Sequence, residues 1–166
     1  IELAEDIVME TNGTLNEVVV FPPFTALESV ADAIDGKHVG YGAQDLHWED
    51  AGAYTGAVSG AMIADICAEY VLVGHSERRA LFGDNEAVVA KKMVAAYRNG
   101  LKPMLCVGEN LEEREAGKTA RKIAMQLRNA LRVITAEQAE SLVVAYEPVW
   151  AIGSGKAATA EDAQVV

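Results

Sequence analysis

The sequence has few cysteines and no long apolar run. Only two of its 166 residues are cysteine, Cys67 and Cys106, and both stand inside apolar segments. We interpret such a pair as buried free thiols in a reducing compartment, since no Cys/His spacing is typical of a metal site. No apolar run approaches the roughly 18 residues that a membrane span needs. No membrane partner is therefore expected.

Basic residues are also scarce. The chain has 14 Lys and Arg against 25 Asp and Glu, for a net charge of −11 at pH 7. A nucleic-acid-binding protein would show a basic stripe, whereas the short basic pairs here lie near acids or on helical patterns. We therefore expect no nucleic-acid partner. An anionic ligand would need a local site that attracts it against the overall field.

The beginning of the chain lacks both an initiator Met and a secretory signal. Its first residues are acidic and amphipathic, and Ile1–Met9 reads as the end of a helix. This start favours a chain that was cut from something longer or processed. No linker and no shift in composition follows, so we expect a single domain over residues 1–166.

Five short apolar runs rich in β-branched residues recur along the chain. They are Val18–Phe21, Val39–Tyr41, Tyr70–Val73, Met104–Val107 and Leu142–Tyr146. Such continuous runs are typical of strands buried on both faces of a parallel sheet, and most of their intervals fit the about 30 residues of a βαβ step. Their alternation with helical patterns indicates α/β architecture. Spacing alone does not separate an open doubly wound sheet from a barrel.

Helical patterns fill the intervals between these runs. Asn85 is a candidate cap for a helix over Glu86–Asn99, which Gly100 would end. A longer helical pattern covers Glu112–Ile134, with an interruption at Gly117. Three further candidates are a helix over Val58–Cys67, a short helix after a capping box at Thr135, and a helix start at Thr159.

Residues that can carry chemistry follow the third and the fifth run. His75 comes directly after Tyr70–Gly74, where it can serve as an acid, a base or a neutral hydrogen-bond donor. Ser76 is a candidate cap of a short helix whose N–H groups would favour the uncharged imidazole. Glu147 ends the fifth run. Because ligands of α/β proteins gather at the carboxyl ends of the strands, the pair of His75 and Glu147 fits proton abstraction next to a carbonyl.

Each of these residues also has a structural alternative. His75 can be a structural residue at a strand end, Glu77 can form an ion pair, and for Arg78 a structural salt bridge is favoured. A glycosidase would need two carboxylates at a set separation, and only Glu77 is available as the second one. Ser76 lacks the sequence pattern of a nucleophile elbow.

A proline-braced, glycine-rich loop follows Glu147 at once. This layout suits a base that works under a lid, because the strand end is fixed while the loop can fold over a ligand. Gly153 and Gly155 allow the backbone to approach a phosphate, and Lys156 adds a positive charge. The spacing of a Walker loop is absent. The alternative is a strand that ends in a turn with an incidental Glu.

Together these segments resemble the triosephosphate isomerase family. Tyr70–Arg79 is similar to the family's electrophile strand end, and Ala145–Lys156 is similar to its catalytic Glu and closing loop. Further similar segments extend the resemblance over nearly the whole chain: Gly40–Gln44, Gly52–Gly56 and Lys102–Glu109. The resemblance implies a partial TIM-barrel-like fold of about five βα units with a parallel sheet, truncated at both ends.

The resemblance also implies a role for each matching residue. Glu147 would be the base that moves a proton between two carbons of a triose phosphate, and neutral His75 would polarise the carbonyl oxygen. Glu77 would be the assisting acid, and Gly153 would offer its backbone N–H to the substrate phosphate. The lid and its hinges would comprise Pro148, Val149, Trp150, Ala151, Ile152, Ser154, Gly155 and Lys156.

The activity implied is the interconversion of dihydroxyacetone phosphate and glyceraldehyde 3-phosphate through an enediolate. Such an isomerase would need no cofactor and no metal. It would work in the cytoplasm, in glycolysis and gluconeogenesis, on a small-molecule triose phosphate.

The sequence departs from the family at both ends and in one loop. The family's first strand carries an Asn-x-Lys motif and its last two βα units grip the phosphate; neither has a counterpart here, so we expect little or no activity from this chain alone. Ala57 and Asp45 stand where the family usually has Glu and Asn, which weakens the expectation of the usual family dimer.

Open edges at the first and last strands nevertheless predict self-association, most simply as a symmetric dimer. Two alternatives to the isomerase stay open. One is a non-catalytic, self-associating α/β module that retains the motifs, and the other is a different phosphosugar-binding βα enzyme.

Overall fold

The computed structural model describes residues 1–166, in which helices alternate with five strands. The strands are β1 (Val18–Val20), β2 (Val39–Ala43), β3 (Tyr70–Val73), β4 (Lys102–Val107) and β5 (Val143–Tyr146). The helices are α1 (Glu2–Glu10), α2 (Phe24–Ile34), α3 (Gly60–Asp65), α4 (Ser76–Leu81), α5 (Glu86–Arg98), α6 (Leu111–Glu115), α7 (Thr119–Leu131), α8 (Ala136–Glu140) and α9 (Ala160–Gln164). All five predicted runs are therefore strands, with ends within two residues of the prediction.

The chain forms two compact units. The first comprises residues 1–73 and 91–104, and the second comprises residues 74–90 and 105–166. The prediction of a single domain over residues 1–166 stays a prediction.

The strand order is β1-β2-β3-β4-β5, so every strand pairs with its neighbours in sequence. β1 and β2 are parallel with Val18 opposite Val39, and β2 and β3 are parallel with Gly42 opposite Tyr70. A doubly wound sheet would show a switch point where the strand order reverses, and this order has none. The topology thus settles the alternative that spacing left open, in favour of the barrel type of winding.

The core of the first unit lies between helix α2 and the first two strands. Leu27, Val30 and Ile34 recur at helical spacing on one face of α2 and are buried. Val30 and Ile34 pack with Val39 of β2 and Ala4 of α1. Helix α2 was not predicted, although this apolar spacing is present in the sequence.

In the second unit the predicted long helix over Glu112–Ile134 is wrong. Two helices, α6 and α7, replace it, and Gly117 lies between them with φ of +65°. Glycine adopts this left-handed conformation without the steric cost that a Cβ brings, so the chain turns there and the helix ends. The buried face of α7 comprises Ile123, Gln126 and Ala130, whereas Leu131 is exposed.

Three of the predicted helix caps, Asn85, Thr135 and Thr159, are confirmed. The Asn85 side chain accepts hydrogen bonds from the N–H groups of Ala87 and Val88 at the start of α5. Thr135 and Thr159 each form a capping box, at the starts of α8 and α9.

The two cysteines differ in burial. Cys106 is buried as predicted, but Cys67 is exposed, and it is the only non-glycine residue with a positive φ, 57°. The prediction of two buried thiols is therefore wrong for Cys67, which directly follows Ile66, the C-cap of α3. None of the nine α-helices has the combination of length and apolar character that a membrane span requires.

Candidate active site

The imidazole of His75 and the carboxylate of Glu147 lie in direct contact in the second unit. Nε2 of His75 is 2.9 Å from Oε1 of Glu147. The other ring nitrogen, Nδ1, accepts the N–H of Glu77 at 3.3 Å. Because Nδ1 uses its lone pair as an acceptor, the ring proton lies on Nε2 and is donated to the carboxylate. The expected meeting of these two residues is therefore present in the structure.

Ser76 holds the carboxylate and does not cap the helix. The residue that caps α4 is His75, through the Nδ1 contact described above. Ser76 is the first residue of α4, and its N–H donates to Oε2 of Glu147 at 3.0 Å while its Oγ donates to Oε1 at 3.1 Å. The prediction of Ser76 as the cap is thus wrong, because the cap position falls one residue earlier. Glu147 thus accepts hydrogen bonds from His75 and from both donors of Ser76, and its side chain is only 14% exposed.

The backbone around Glu147 is fixed by strand β4. The N–H of Glu147 donates to the carbonyl of Val107 at 2.7 Å, which extends the β4–β5 pairing by one residue. At the next position a Cβ on Gly108 would overlap the carbonyl oxygen of Glu147. The N–H of Gly108 donates to the buried side chain of Gln126 at 3.0 Å. Only glycine allows the two strand ends to approach this closely.

The buried thiol of Cys106 and the half-buried guanidinium of Arg79 lie near the pair of His75 and Glu147. Burial raises the pKa of the Cys106 thiol to about 12, with the negative charge of nearby Glu147 as the next cause. Arg79 donates to the carbonyl oxygens of Gly74 at 2.6 Å and of Cys106 at 3.4 Å, and pairs with Glu86 at 2.6 Å. Arg79 therefore braces the ends of two segments that carry site residues.

Glu77 and Arg78 stand outside the hydrogen-bonded pair. The Glu77 side chain is 67% exposed, with its carboxylate 4.0 Å from Nδ1 of His75. Arg78 pairs with buried Asp84 at 3.2 Å and stacks on Phe82. The favoured structural salt bridge for Arg78 is thus observed.

The glycine-rich segment after Glu147 begins with a 3₁₀ turn over Val149–Ala151 and is exposed from Ile152 onward. Gly153 and Gly155 have positive φ angles of 66° and 75°. Ser154 bonds within the turn, to the Ala151 carbonyl and the Lys156 N–H, each at 3.2 Å. Gly153 does not belong to the hydrogen-bonded group around Glu147.

A buried carboxylate anchors the first part of this segment. Glu109 has a fully buried side chain and accepts hydrogen bonds from Tyr146 and from the indole Nε1 of Trp150, each at 3.1 Å. Burial raises the pKa of the Tyr146 hydroxyl, and the hydrogen bond to Glu109 adds to the rise. Arg114 lies 3.4 Å from the same carboxylate and stacks on the Trp150 ring at 4.3 Å. Trp150 is therefore held on two sides.

The sequence did not predict the contributions of four residues to the site: Ser76, which donates to Glu147, and Arg79, Cys106 and Gly108. Each acts through a contact with a residue distant in sequence. Only the position of Gly108 at a strand end offered a signal. No group of three or more His, Cys, Asp or Glu side chains is arranged to hold a metal ion.

The chain resembles known proteins over its full length. The family model described as triosephosphate isomerase matches residues 1–166. A triosephosphate isomerase of Moorella thermoacetica is 58% identical over 150 residues, which cover 90% of this chain and 60% of the relative. A triosephosphate isomerase of Thermoanaerobacter pseudethanolicus is 45% identical over 166 residues, which cover 100% of this chain and 67% of the relative.

The chain thus spans 60% of the length of the Moorella protein. The match to the family model and the sequential strand order together confirm the predicted partial TIM-barrel-like fold.

Proposed function

Because the chain belongs to the triosephosphate isomerase family, we propose that its second unit carries the proton-transfer centre of an isomerase that interconverts dihydroxyacetone phosphate and glyceraldehyde 3-phosphate. The observation that carries the proposal is the contact of 2.9 Å between Nε2 of His75 and Oε1 of Glu147. A base and a neutral hydrogen-bond donor side by side suit enolisation, and triosephosphate isomerase is itself the standard example of such a Glu and His pair.

In the proposed reaction the substrate carbonyl replaces Glu147 as the acceptor of the Nε2–H of His75. Glu147 then takes a proton from the carbon next to that carbonyl, and the electron pair of the broken C–H bond forms the double bond of an enediolate. The negative charge develops on the oxygen that faces His75. A proton then passes to this oxygen from the hydroxyl of the deprotonated carbon, and Glu147 returns its proton to the former carbonyl carbon, which leaves the new carbonyl on the neighbouring carbon and completes the isomerisation.

This sequence of steps requires Glu147 to leave its present hydrogen bonds. Its carboxylate is held by Ser76 and His75 and would swing toward the substrate carbon. The adjoining segment Pro148–Lys156 is the proposed lid, whose closure would exclude water and whose Gly153 would donate its N–H to the phosphate. Glu77, close to Nδ1 of His75, is the proposed assisting acid.

We propose low turnover for the 166-residue chain by itself. The proton-transfer pair and the lid are among its residues, but the phosphate-neutralising lysine of the Asn-x-Lys motif has no counterpart in this sequence. A missing positive charge at a developing anion costs several kcal/mol of transition-state stabilisation, by analogy with an oxyanion hole.

The family also suggests a cytoplasmic protein of glycolysis and gluconeogenesis that forms a homodimer. β1 and β5 end the strand order and offer edges for association with a second copy. Light scattering at tens of micromolar, with a mass of twice 17.7 kDa expected, tests the dimer.

Proton exchange in D₂O tests the proposed chemistry even where net turnover is low. Loss of the carbon-bound proton of dihydroxyacetone phosphate is followed by NMR, together with a coupled isomerase assay. We compare the wild type with Glu147→Gln, which keeps the size of the side chain but removes the base. The matched control is Glu137→Gln, the same change at an exposed acid of α8.

We expect exchange with the wild type and Glu137→Gln, and a loss of about 10²-fold or more with Glu147→Gln. Equal exchange in all three proteins would contradict the proposed base. Exchange in none of them would instead favour the non-catalytic module.

A further inference from the structure

One arginine contacts residues on both flanks of the proposed lid. The guanidinium carbon of Arg114 lies 4.3 Å from the centre of the Trp150 ring, just before the exposed glycine turn. Its Nη2 donates to Asp162 of α9, just after that turn. Residues 152–159 between these two contacts are exposed. A single side chain therefore links the two ends of a segment that otherwise makes mostly local bonds.

Other residues hold the side chains that Arg114 contacts in place. On the side of Trp150, the carboxylate of Glu109 accepts hydrogen bonds from Tyr146 and from Trp150 itself, and it lies 3.4 Å from Nη1 of Arg114. On the other side, Asp162 accepts the N–H and the hydroxyl of Thr159, at 3.0 and 3.1 Å. The Thr159 N–H, with Arg114 among the lesser causes, lowers the pKa of Asp162 and keeps it ionised. The contacts therefore form one continuous network from Glu109 to α9.

We infer that Arg114 is a positioning residue that clamps both flanks of the segment 148–164 and so sets how freely the lid moves over Glu147. This inference rests on the proposed function for its catalytic meaning. The clamp itself is a property of the unliganded chain and is measured without substrate.

The chemistry of the side chain suits this role. A guanidinium is flat, so it can lie on an indole face while its edge donates to two carboxylates. A lysine at the same place would keep the charge but would contact only one partner at a time. The side chains of Arg114 and Asp162 are 29% and 25% exposed, so water can compete for this ion pair and the contact can break and re-form as the segment moves.

Hydrogen exchange measured by mass spectrometry on the full chain tests the clamp. The informative peptides cover residues 148–152 and 159–164, one on each flank. The variants are Arg114→Met, which removes the contacts with Trp150, Glu109 and Asp162, and Asp162→Asn, which weakens only the contact with α9. Arg128→Met serves as the matched control, since Arg128 is an exposed arginine of α7.

In Arg114→Met we expect both flanking peptides to exchange about fivefold faster, while β4 and β5 keep the wild-type rate. In Asp162→Asn the exchange rate of the peptide 159–164 should increase more than that of the peptide 148–152. Adding Arg114→Met to this variant should change the exchange rate of the peptide 159–164 little further. Arg128→Met should match the wild type. Arg114→Lys should restore the wild-type exchange rate in only one of the two flanking peptides.

Unchanged exchange in Arg114→Met, or faster exchange on a single flank, would overturn the inference. Faster exchange throughout β4 and β5 would also overturn it, because Arg114 would then be a general stabiliser. If the wild type shows isomerase activity, a clamp predicts that Arg114→Met changes kcat more than KM. Absence of activity affects only the proposed function, since the exchange rates of the two flanks are read without substrate.

Discussion

The carboxylate of Glu147 lies 2.9 Å from Nε2 of His75, and the helix that follows His75 supplies two further donors to the same carboxylate. Glu147 is thus fully hydrogen-bonded before any substrate arrives. In the proposed reaction, Glu147 must exchange these bonds for a substrate proton. The strength of these bonds therefore governs the stability of this part of the structure and, under that proposal, how readily Glu147 acts as the base.

Ser76→Ala removes one of the three donors to Glu147. The Ser76 N–H still donates, so we expect a loss of about 0.5–1.5 kcal/mol in the free energy of unfolding. Urea denaturation measures this change. Ser154→Ala is the control, because the Ser154 hydroxyl bonds only within an exposed turn. Equal stability of Ser76→Ala and the wild type would show that the hydroxyl bond is not formed in solution.

Gly108→Ala should disrupt the position of Glu147. The added methyl group would overlap the Glu147 carbonyl, and we expect the free energy of unfolding to fall by about 2 kcal/mol or more. Denaturation in urea gives the value. The control is Gly117→Ala, where the new Cβ has open space and the cost is the positive φ alone, about 1 kcal/mol. A Gly108→Ala protein no less stable than the control would contradict the close approach.

Arg79→Met should be costly because it leaves Glu86 and two carbonyl oxygens without their donor. The two side chains are 17% and 25% exposed, so the pair is largely shielded from water. We expect a loss of about 2–3 kcal/mol, less than for a fully buried pair. Arg121→Met, at an exposed position of α7, should change stability by less than about 0.5 kcal/mol. The melting temperatures of the two variants compare them directly.

Ionisation of Cys106 should weaken the fold at high pH. Its pKa is about 12 in the folded chain against an ordinary value of 9.0, so the folded state holds the proton more tightly than the unfolded state. The stability linked to this thiol is present below about pH 9. It falls as the pH rises from 9 toward 12, by up to about 1.4 kcal/mol per pH unit.

The difference in unfolding free energy between the wild type and Cys106→Ser isolates this effect from other groups that titrate. We expect the wild type to lose its advantage over the variant between pH 9 and 11. A pH-independent difference would show that the thiol is not buried beside Glu147. Thiol labelling at pH 8 offers a second check, since exposed Cys67 should react much faster than Cys106.

The sequence predicted the strands well because their signal is local. Runs such as Tyr70–Val73 are continuous and β-branched, so burial on both faces is visible without knowledge of the partners. The caps at Asn85, Thr135 and Thr159 were equally local. The helix predicted over Glu112–Ile134 failed in its first turns, because the residue pattern shows an interruption at Gly117 but does not show that this glycine adopts a left-handed conformation that ends one helix before the next begins.

The sequence by itself determined the α/β class, the five strands and the identity of His75 and Glu147 as residues at strand ends. Those properties depend on residue type and spacing along the chain. Only the tertiary structure decided that Ser76 binds the carboxylate, that Gly108 makes room for the Glu147 carbonyl, and that Arg114 contacts both Trp150 and Asp162. These are contacts between atoms distant in sequence, and their distances depend on how the strands and helices pack.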